Sequence, residues 1–360
     1  MANITSCLQL KPDLVVLLYS SDMVEQLNRH EEFLRAKRVR TEPLLIRPFD
    51  MEDVMSVCEG IVAKYSSDDL SLNVTGGTKI AALAAFQIFL SAGLKICYVN
   101  TRDQRIMFLN PRNEQIPITA SLTVSQYLDL HGFRVESYQQ DLKEIMRRRP
   151  VTEWMAGLAA ANPRLIGRIN GSFGKNADVE DLEYPYLLTL PQTHEARVLA
   201  RKMCEHGLAA PGPESHRIII PVVEIARYLR GFWFEEYVFL SVKSLPGVET
   251  LLNVYGRWET KNQAEPKNEF DVMAGIGNRL VYISCKTANV AVGSNVREYL
   301  YELDSLGDNA LGLFGRKVLA SARPIIDRNV RERAANMGIE IIDGQGILEI
   351  PERIGKWLNR

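Results

Sequence analysis

Apolar residues fall into two alternating rhythms along the first third of the chain. Leu14 to Ser20 (LVVLLYS) is a continuous apolar run, the pattern of a strand buried on both faces. Asp22 then opens a stretch with helical spacing to Arg38. Pro43 to Phe49 reads as a second strand and Met51 to Ser67 as a second helix. Leu70 to Thr75 is a third strand, and Thr78 to Gly93 a helix closed by its glycine. Leu94 to Thr101 and Gln104 to Asn110 are further strands, with Arg102 and Asp103 as the turn between them. Strands separated by crossover helices predict an α/β fold with a Rossmann-like sheet covered on both faces.

The rhythm changes at Thr123. Residues 123–149 read as helical and end in the basic cluster Arg147, Arg148 and Arg149. His194 to Ala210 reads as a short helix stopped by Gly207, and His216 to Pro221 as a strand. Such a segment is either a winged-helix-like connector or a plain helical linker. From Val222 the pattern becomes mixed α/β again. It predicts a long apolar-rich helix over 222–242, strands over 248–258, 269–275 and 279–287, a helix, a strand, a helix and a last strand. That order is the core of the restriction-endonuclease-like fold. The expected organisation is therefore 1–122, 123–221 and 222–360, in keeping with two or three domains for 360 residues.

Composition narrows the function classes. With a net charge of −1, no global basic field attracts nucleic acid, so any such contact uses local patches. A 46% hydrophobic content supports packed cores rather than long disorder. The five cysteines are scattered, which excludes a disulfide framework and a zinc pattern by spacing. The N-terminus lacks the layout of a signal peptide, and Leu14 to Tyr19 is too short to span a membrane. The expected location is the cytoplasm, with no membrane partner.

Candidate chemistry concentrates in NEFDVMAGIGNRLVYISCKT, from Asn268 to Thr287. Side chains alternate along strands, so Glu269 shares a face with Asp271, and Ser284 shares one with Lys286. If the two strands pair, acids and a lysine converge. Metal-dependent phosphodiester cleavage needs that combination: oxygen ligands for a divalent ion, and a cation beside the attacking water or the phosphate. Lys286 follows an apolar run, where burial is costly without a partner. Glu235 and Glu236 sit amid Phe232, Trp233, Phe234, Val238 and Phe239, and one of them is expected to add a carboxylate. Glu269 either joins the site or stands by. Magnesium and manganese both accept such oxygen sets.

A second candidate lies in LNVTGGTKIAALAAF. Asn73, Thr75, Gly76, Gly77, Thr78 and Lys79 form a strand-to-helix turn whose free amides and positive dipole end favour phosphate. The spacing matches neither a Walker A loop nor a dinucleotide fingerprint. The plainer reading is a packing turn with Thr78 as helix cap. Ser20 and Ser21, after the first strand, are expected on the same rim, joined by Asn100 and Thr101.

NVTGGTK after a third strand resembles the ligand motif of CRISPR-associated Rossmann-fold (CARF) domains. The later GFWFEEYVF, NEFDV and SCKT resemble the PD-(D/E)XK half of the CRISPR ancillary nucleases. The two occur in the family's order and span nearly the whole chain. The resemblance implies a homodimer whose CARF domains bind a cyclic oligoadenylate, cyclic tetra-adenylate foremost, and thereby activate a metal-dependent nuclease. It carries Asp271 onto the metal-binding aspartate and Lys286 onto the motif lysine. It selects Glu235 over Glu236, and favours Mn2+ with Mg2+ as the alternative. The departure is Ser284, where the motif has an acid. Glu269 or the backbone carbonyl of Cys285 is the expected compensation. Rival readings are a DNA-binding regulator with a dead nuclease half, a ring nuclease degrading its own ligand, and a repair nuclease with a nucleotide sensor. The basic residues Arg147 to Arg149, Arg164, Arg168 and Lys175 either line a phosphate backbone or form solvated helix ends.

Overall fold

The computed structural model describes residues 2–112, 114–174, 178–259, 267–287, 295–312 and 315–358. Lys175 lies outside them. The chain divides into two compact units, Met1–Arg134 and Val135–Arg360.

In the first unit the order is α1 (Ala2–Leu10), β1 (Leu14–Tyr19), α2 (Val24–Ala36), β2 (Arg40–Leu45), α3 (Met51–Lys64), β3 (Ser71–Asn73), α4 (Lys79–Ser91), β4 (Lys95–Asn100), β5 (Arg105–Asn110), β6 (Gln115–Pro117) and α5 (Val124–Leu130). β1 and β2 pair in parallel, and β3 pairs in parallel with β4. β4, β5 and β6 continue as an antiparallel meander. The alanine-rich face of α4 (Ala81, Ala84, Ala85) packs close against Val54, Cys58 and Ile61 of α3, which short side chains permit.

The boundary falls within β7 (Phe133–Ser137), and the second unit goes on with α6 (Leu142–Ala161), α7 (Pro163–Asn170), β8 (Tyr186–Thr189), α8 (His194–Glu205), β9 (Ala210–Pro211), β10 (Arg217–Ile220), α9 (Val223–Arg227) and α10 (Trp233–Lys243). It continues with β11 (Glu249–Trp258), β12 (Lys267–Ile276), β13 (Arg279–Lys286), α11 (Asn295–Leu311), β14 (Arg316–Ser321), α12 (Arg328–Asn336), β15 (Ile339–Asp343) and α13 (Ile350–Leu358). A six-stranded sheet has the order β15-β14-β13-β12-β11-β7. Its centre is antiparallel from β11 to β13 and parallel from β13 to β15. A small sheet, β8-β10-β9, accompanies α8.

Two expectations are corrected here. Residues 123–149 are not one helix: Gly132, at φ 89°, ends α5 and turns the chain into β7 before α6 begins. The helix expected over 222–242 is two, α9 and α10, which meet at a kink at Gly231. The apolar pattern runs through the kink because Tyr228 and Leu229 before it and Trp233 and Phe234 after it are buried in one core. That core also takes Ile145, Val151 and Met155 from α6, and Val272, Ala274, Val281 and Ile283 from the sheet. α10 is thus covered on two sides, so its acidic residues need partners.

Candidate active site

The site forms where β12 and β13 part. Their ladder pairs Val272 with Ile283 and does not continue to Asp271 and Ser284. The Asp271 carboxylate takes over from the missing backbone partner. Its Oδ2 accepts the Cys285 amide at 2.6 Å and the Ser284 hydroxyl at 3.2 Å. Lys286 Nζ stands 3.7 Å from the same oxygen. The expected convergence of Asp271 and Lys286 is therefore present. Among the described residues no hydrogen bond to Asp271 Oδ1 is recorded, so one oxygen is fixed by β13 and the other remains available. Lys286 also lies 5.0 Å above the Tyr299 ring of α11. Burial works against its charge, but Asp271, Cys285, Glu302 and Glu235 outweigh it and hold its pKa above the ordinary value.

α10 turns Glu235 toward this group. Burial first, then the Asp271 charge and that of Glu269, push its pKa up to about 8, against the pull of an Asn253 hydrogen bond. Glu269 is raised by burial and by Asp271 as well. Three carboxyl groups thus repel one another's charge, which a divalent cation would relieve. Ser284 is 4% exposed and spends its hydroxyl on Asp271. Among the described residues, no group of three or more His, Cys, Asp or Glu side chains is arranged to hold a metal ion. The oxygen donors still suit a hard cation such as Mg2+ or Mn2+, which takes one or two carboxylates and fills its remaining positions with water or phosphate.

Glu236, one residue on, is buried as well. It is 2% exposed and forms a bidentate ion pair with Arg148 of α6, with Arg148 Nε 3.2 Å from Oε2. The Arg148 guanidinium lies 5.5 Å over the Tyr228 ring, and the Tyr228 hydroxyl meets Thr152 Oγ1 at 2.9 Å. This buried network anchors one side of α10 to α6 and leaves Glu235 on the sheet side. It also corrects the reading of the basic cluster. Arg148 belongs to the core, and Arg147 and Arg149 pair with Glu144 and Glu153, each at 2.6 Å.

Sequence reasoning missed Asn253, in the middle of β11. Its Nδ2 donates to Glu235 Oε2 at 2.7 Å. Its backbone is left-handed, with φ 50°, which costs a non-glycine residue about 1–3 kcal/mol. Its signal was an asparagine, a type that tolerates this conformation, between the apolar residues Leu252 and Val254.

In the first unit the turn is built as Thr75, Gly76, Gly77 and Thr78. Gly77 has φ 86°. Asn73 Oδ1 accepts the Thr75 amide at 3.0 Å, and Thr75 Oγ1 accepts the Val99 amide at 2.7 Å. Thr78 caps α4 by accepting the Ala81 amide at 3.1 Å, and donates its hydroxyl to the Pro48 carbonyl. The hydroxyls of Thr75 and Thr78 thus serve the framework. Gly76, Gly77 and Lys79 are exposed, and among the described residues the two glycine amides have no recorded acceptor. Asn73 Nδ2 reaches Ser6 Oγ at 2.8 Å, and Asn100 closes its own loop with Asp103. No hydrogen bond among the described residues joins Ser20 or Ser21 to the turn. A cleft of about 1490 Å³ runs between β1–β2 and β3, with Asn73, Gly76 and Gly77 on its wall.

No described helix is long and apolar enough to cross a membrane. Residues 3–127 match the family model of the Card1 CARF domain, and residues 223–360 that of the Card1-like endonuclease domain. A search of curated proteins found no match. Among solved structures the chain is similar to Can2 from Sulfobacillus thermosulfidooxidans in complex with cyclic tetra-adenylate, at 24% identity and TM-score 0.80, covering 99% of this chain and 94% of that one. It is similar to protein VC1899 from Vibrio cholerae at 21% identity and TM-score 0.85, covering 99% and 95%. A type III CRISPR defence DNA nuclease activated by cyclic oligoadenylate matches at 17% identity and TM-score 0.58, covering all of this chain and 50% of that one. The chain thus carries a Card1-type CARF domain followed by a Card1-like endonuclease domain.

Proposed function

We propose that this protein is a divalent-metal-dependent nuclease, activated by cyclic tetra-adenylate and cleaving DNA or RNA as a homodimer in type III CRISPR antiviral defence. The observation that carries the reading is the placement of Lys286 Nζ 3.7 Å from an Asp271 oxygen, with Glu235 pushed up to about 8 beside it. A divalent cation, Mn2+ foremost and Mg2+ second, would be held by Asp271 and Glu235 with the Cys285 carbonyl. It would polarise the phosphate and lower the pKa of the attacking water. Lys286 then steadies the charge that builds on the phosphate oxygens. Glu269 adds negative charge beside Asp271. Solved relatives support the activator: one is described with cyclic tetra-adenylate and another as activated by cyclic oligoadenylate. In this chain the exposed amides of Gly76 and Gly77, with Lys79, are the donors for its phosphates, and Asn73, Thr75, Thr78, Ser20, Ser21 and Asn100 form the surrounding rim.

The test is a set of labelled single- and double-stranded DNA and RNA substrates, with and without cyclic tetra-adenylate, in Mn2+ and in Mg2+. Cleavage is expected only with activator and metal together. Lys286→Ala is expected to abolish cleavage and leave activator binding intact. Absence of cleavage in every combination would overturn the reading. It would favour instead a ligand-sensing regulator that binds nucleic acid, which the lack of an acid at Ser284 supports.

A further inference from the structure

We propose that Asn253 takes the place of the acid missing at position 284, holding Glu235 and offering its own amide oxygen to the divalent cation; this rests on the metal-dependent reading above. The β11–β12 ladder pairs Leu252 with Val272 and Val254 with Phe270, and skips Asn253 and Asp271. The irregularity thus falls directly across from the central aspartate. Asp271 is flanked by Ser284 on one neighbouring strand and by Asn253 on the other.

The two flanking residues differ in what they have left to give. Ser284 has donated its hydroxyl to Asp271 Oδ2. Asn253 donates Nδ2 to Glu235 Oε2 at 2.7 Å, so an amide on β11 holds the carboxylate from α10. Its Oδ1 is shielded from solvent and, among the described residues, has no hydrogen-bond partner. A buried amide oxygen normally has a donor or a cation, and amide oxygens are ordinary ligands for hard divalent ions. The backbone at Asn253 is left-handed, with φ 50°. Glycine would adopt that backbone too, so the backbone alone does not require the amide.

That difference gives the test. Binding of Mn2+ to the full-length protein is measured by calorimetry and by the Mn2+ spin-resonance signal, without activator or nucleic acid. N253G keeps the backbone and removes the amide. It is expected to melt close to wild type, yet to weaken Mn2+ binding by about tenfold or more, the usual effect of losing a group that orients a ligand. In a cycle with Glu235→Gln, the double variant is expected to lose less than the product of the two single losses. Wild-type Mn2+ affinity in N253G, or strictly independent losses, would overturn the role of Asn253 and leave the nuclease reading standing. No Mn2+ binding by the wild-type protein would overturn both.

Discussion

Glu235 gives the candidate site its pH signature. Its ordinary pKa is 4.5, and in the folded metal-free protein burial, Asp271 and Glu269 push it up to about 8. Between those values the folded state keeps a proton that the unfolded chain has released. The resulting stability is fully present below the unfolded pKa and is lost as pH rises through the folded one. Chelated wild-type protein is therefore expected to melt progressively lower from about pH 5 to about pH 8, and Glu235→Gln to flatten that decline. Scanning calorimetry in the presence of chelator checks both curves. Added Mn2+ should restore the wild-type melting point at the alkaline end, because a ligand that binds only the native state stabilises it. Ser284→Ala removes one neutral donor to Asp271, so it is expected to cost about 1 kcal/mol of stability. Cleavage should stay within an order of magnitude, since the Cys285 amide and Lys286 still hold Oδ2. A fall to background cleavage would instead make the hydroxyl a ligand.

Among the elements, α10 is defined by what its two adjacent glutamates do. Residues one apart on a helix point about 100° apart, so one faces the sheet and the other faces α6. Both acids were legible as anomalies in an apolar helix, but their division was not. It depends on Arg148, which lies 88 positions earlier in the chain. Arg148→Ala strands a buried carboxylate, and about 3–5 kcal/mol is expected to be lost, measured by urea denaturation. The turn before α4 offers a second test. Gly77 is left-handed, and a Cβ added there would meet no protein atom within 4 Å. Gly77→Ala should therefore cost only the backbone penalty, roughly 1–2 kcal/mol. If the activator's phosphates lie on that turn, calorimetry should show its affinity fall much further than this penalty. Unchanged affinity would reduce the turn to a packing device.

On the scale of the whole molecule, the two chemical motifs were legible because each is local. NVTGGTK and NEFDV with SCKT depend on turn geometry and strand alternation, which short stretches encode. The middle of the chain was not legible in the same way. The helical spacing of 123–149 hid β7, whose strand character comes from pairing at the sheet's edge beside β11. The kink at Gly231 was hidden because one continuous core rewards apolar residues on both sides of it. Asn253 was passed over because its local signal, a lone asparagine, does not show that it lies across from Asp271. A two-fold symmetric activator also carries a prediction for the assembly. One cyclic tetra-adenylate is expected per two chains, with light scattering giving twice the chain mass, and a ratio of one ligand per chain would contradict the shared site.

The parting of β12 and β13 has a practical consequence for anyone choosing a dead control. Because the Cys285 amide is held by a side chain instead of a neighbouring strand, Asp271 doubles as a rivet in the sheet. Asp271→Ala would silence the chemistry and also loosen the fork, so a lost activator response in that variant would be ambiguous. Asp271→Asn keeps an acceptor for the amide, and Lys286→Ala leaves the rivet untouched. Hydrogen exchange at the Cys285 amide, fast in the alanine variant and slow in the other two, would identify which controls are clean.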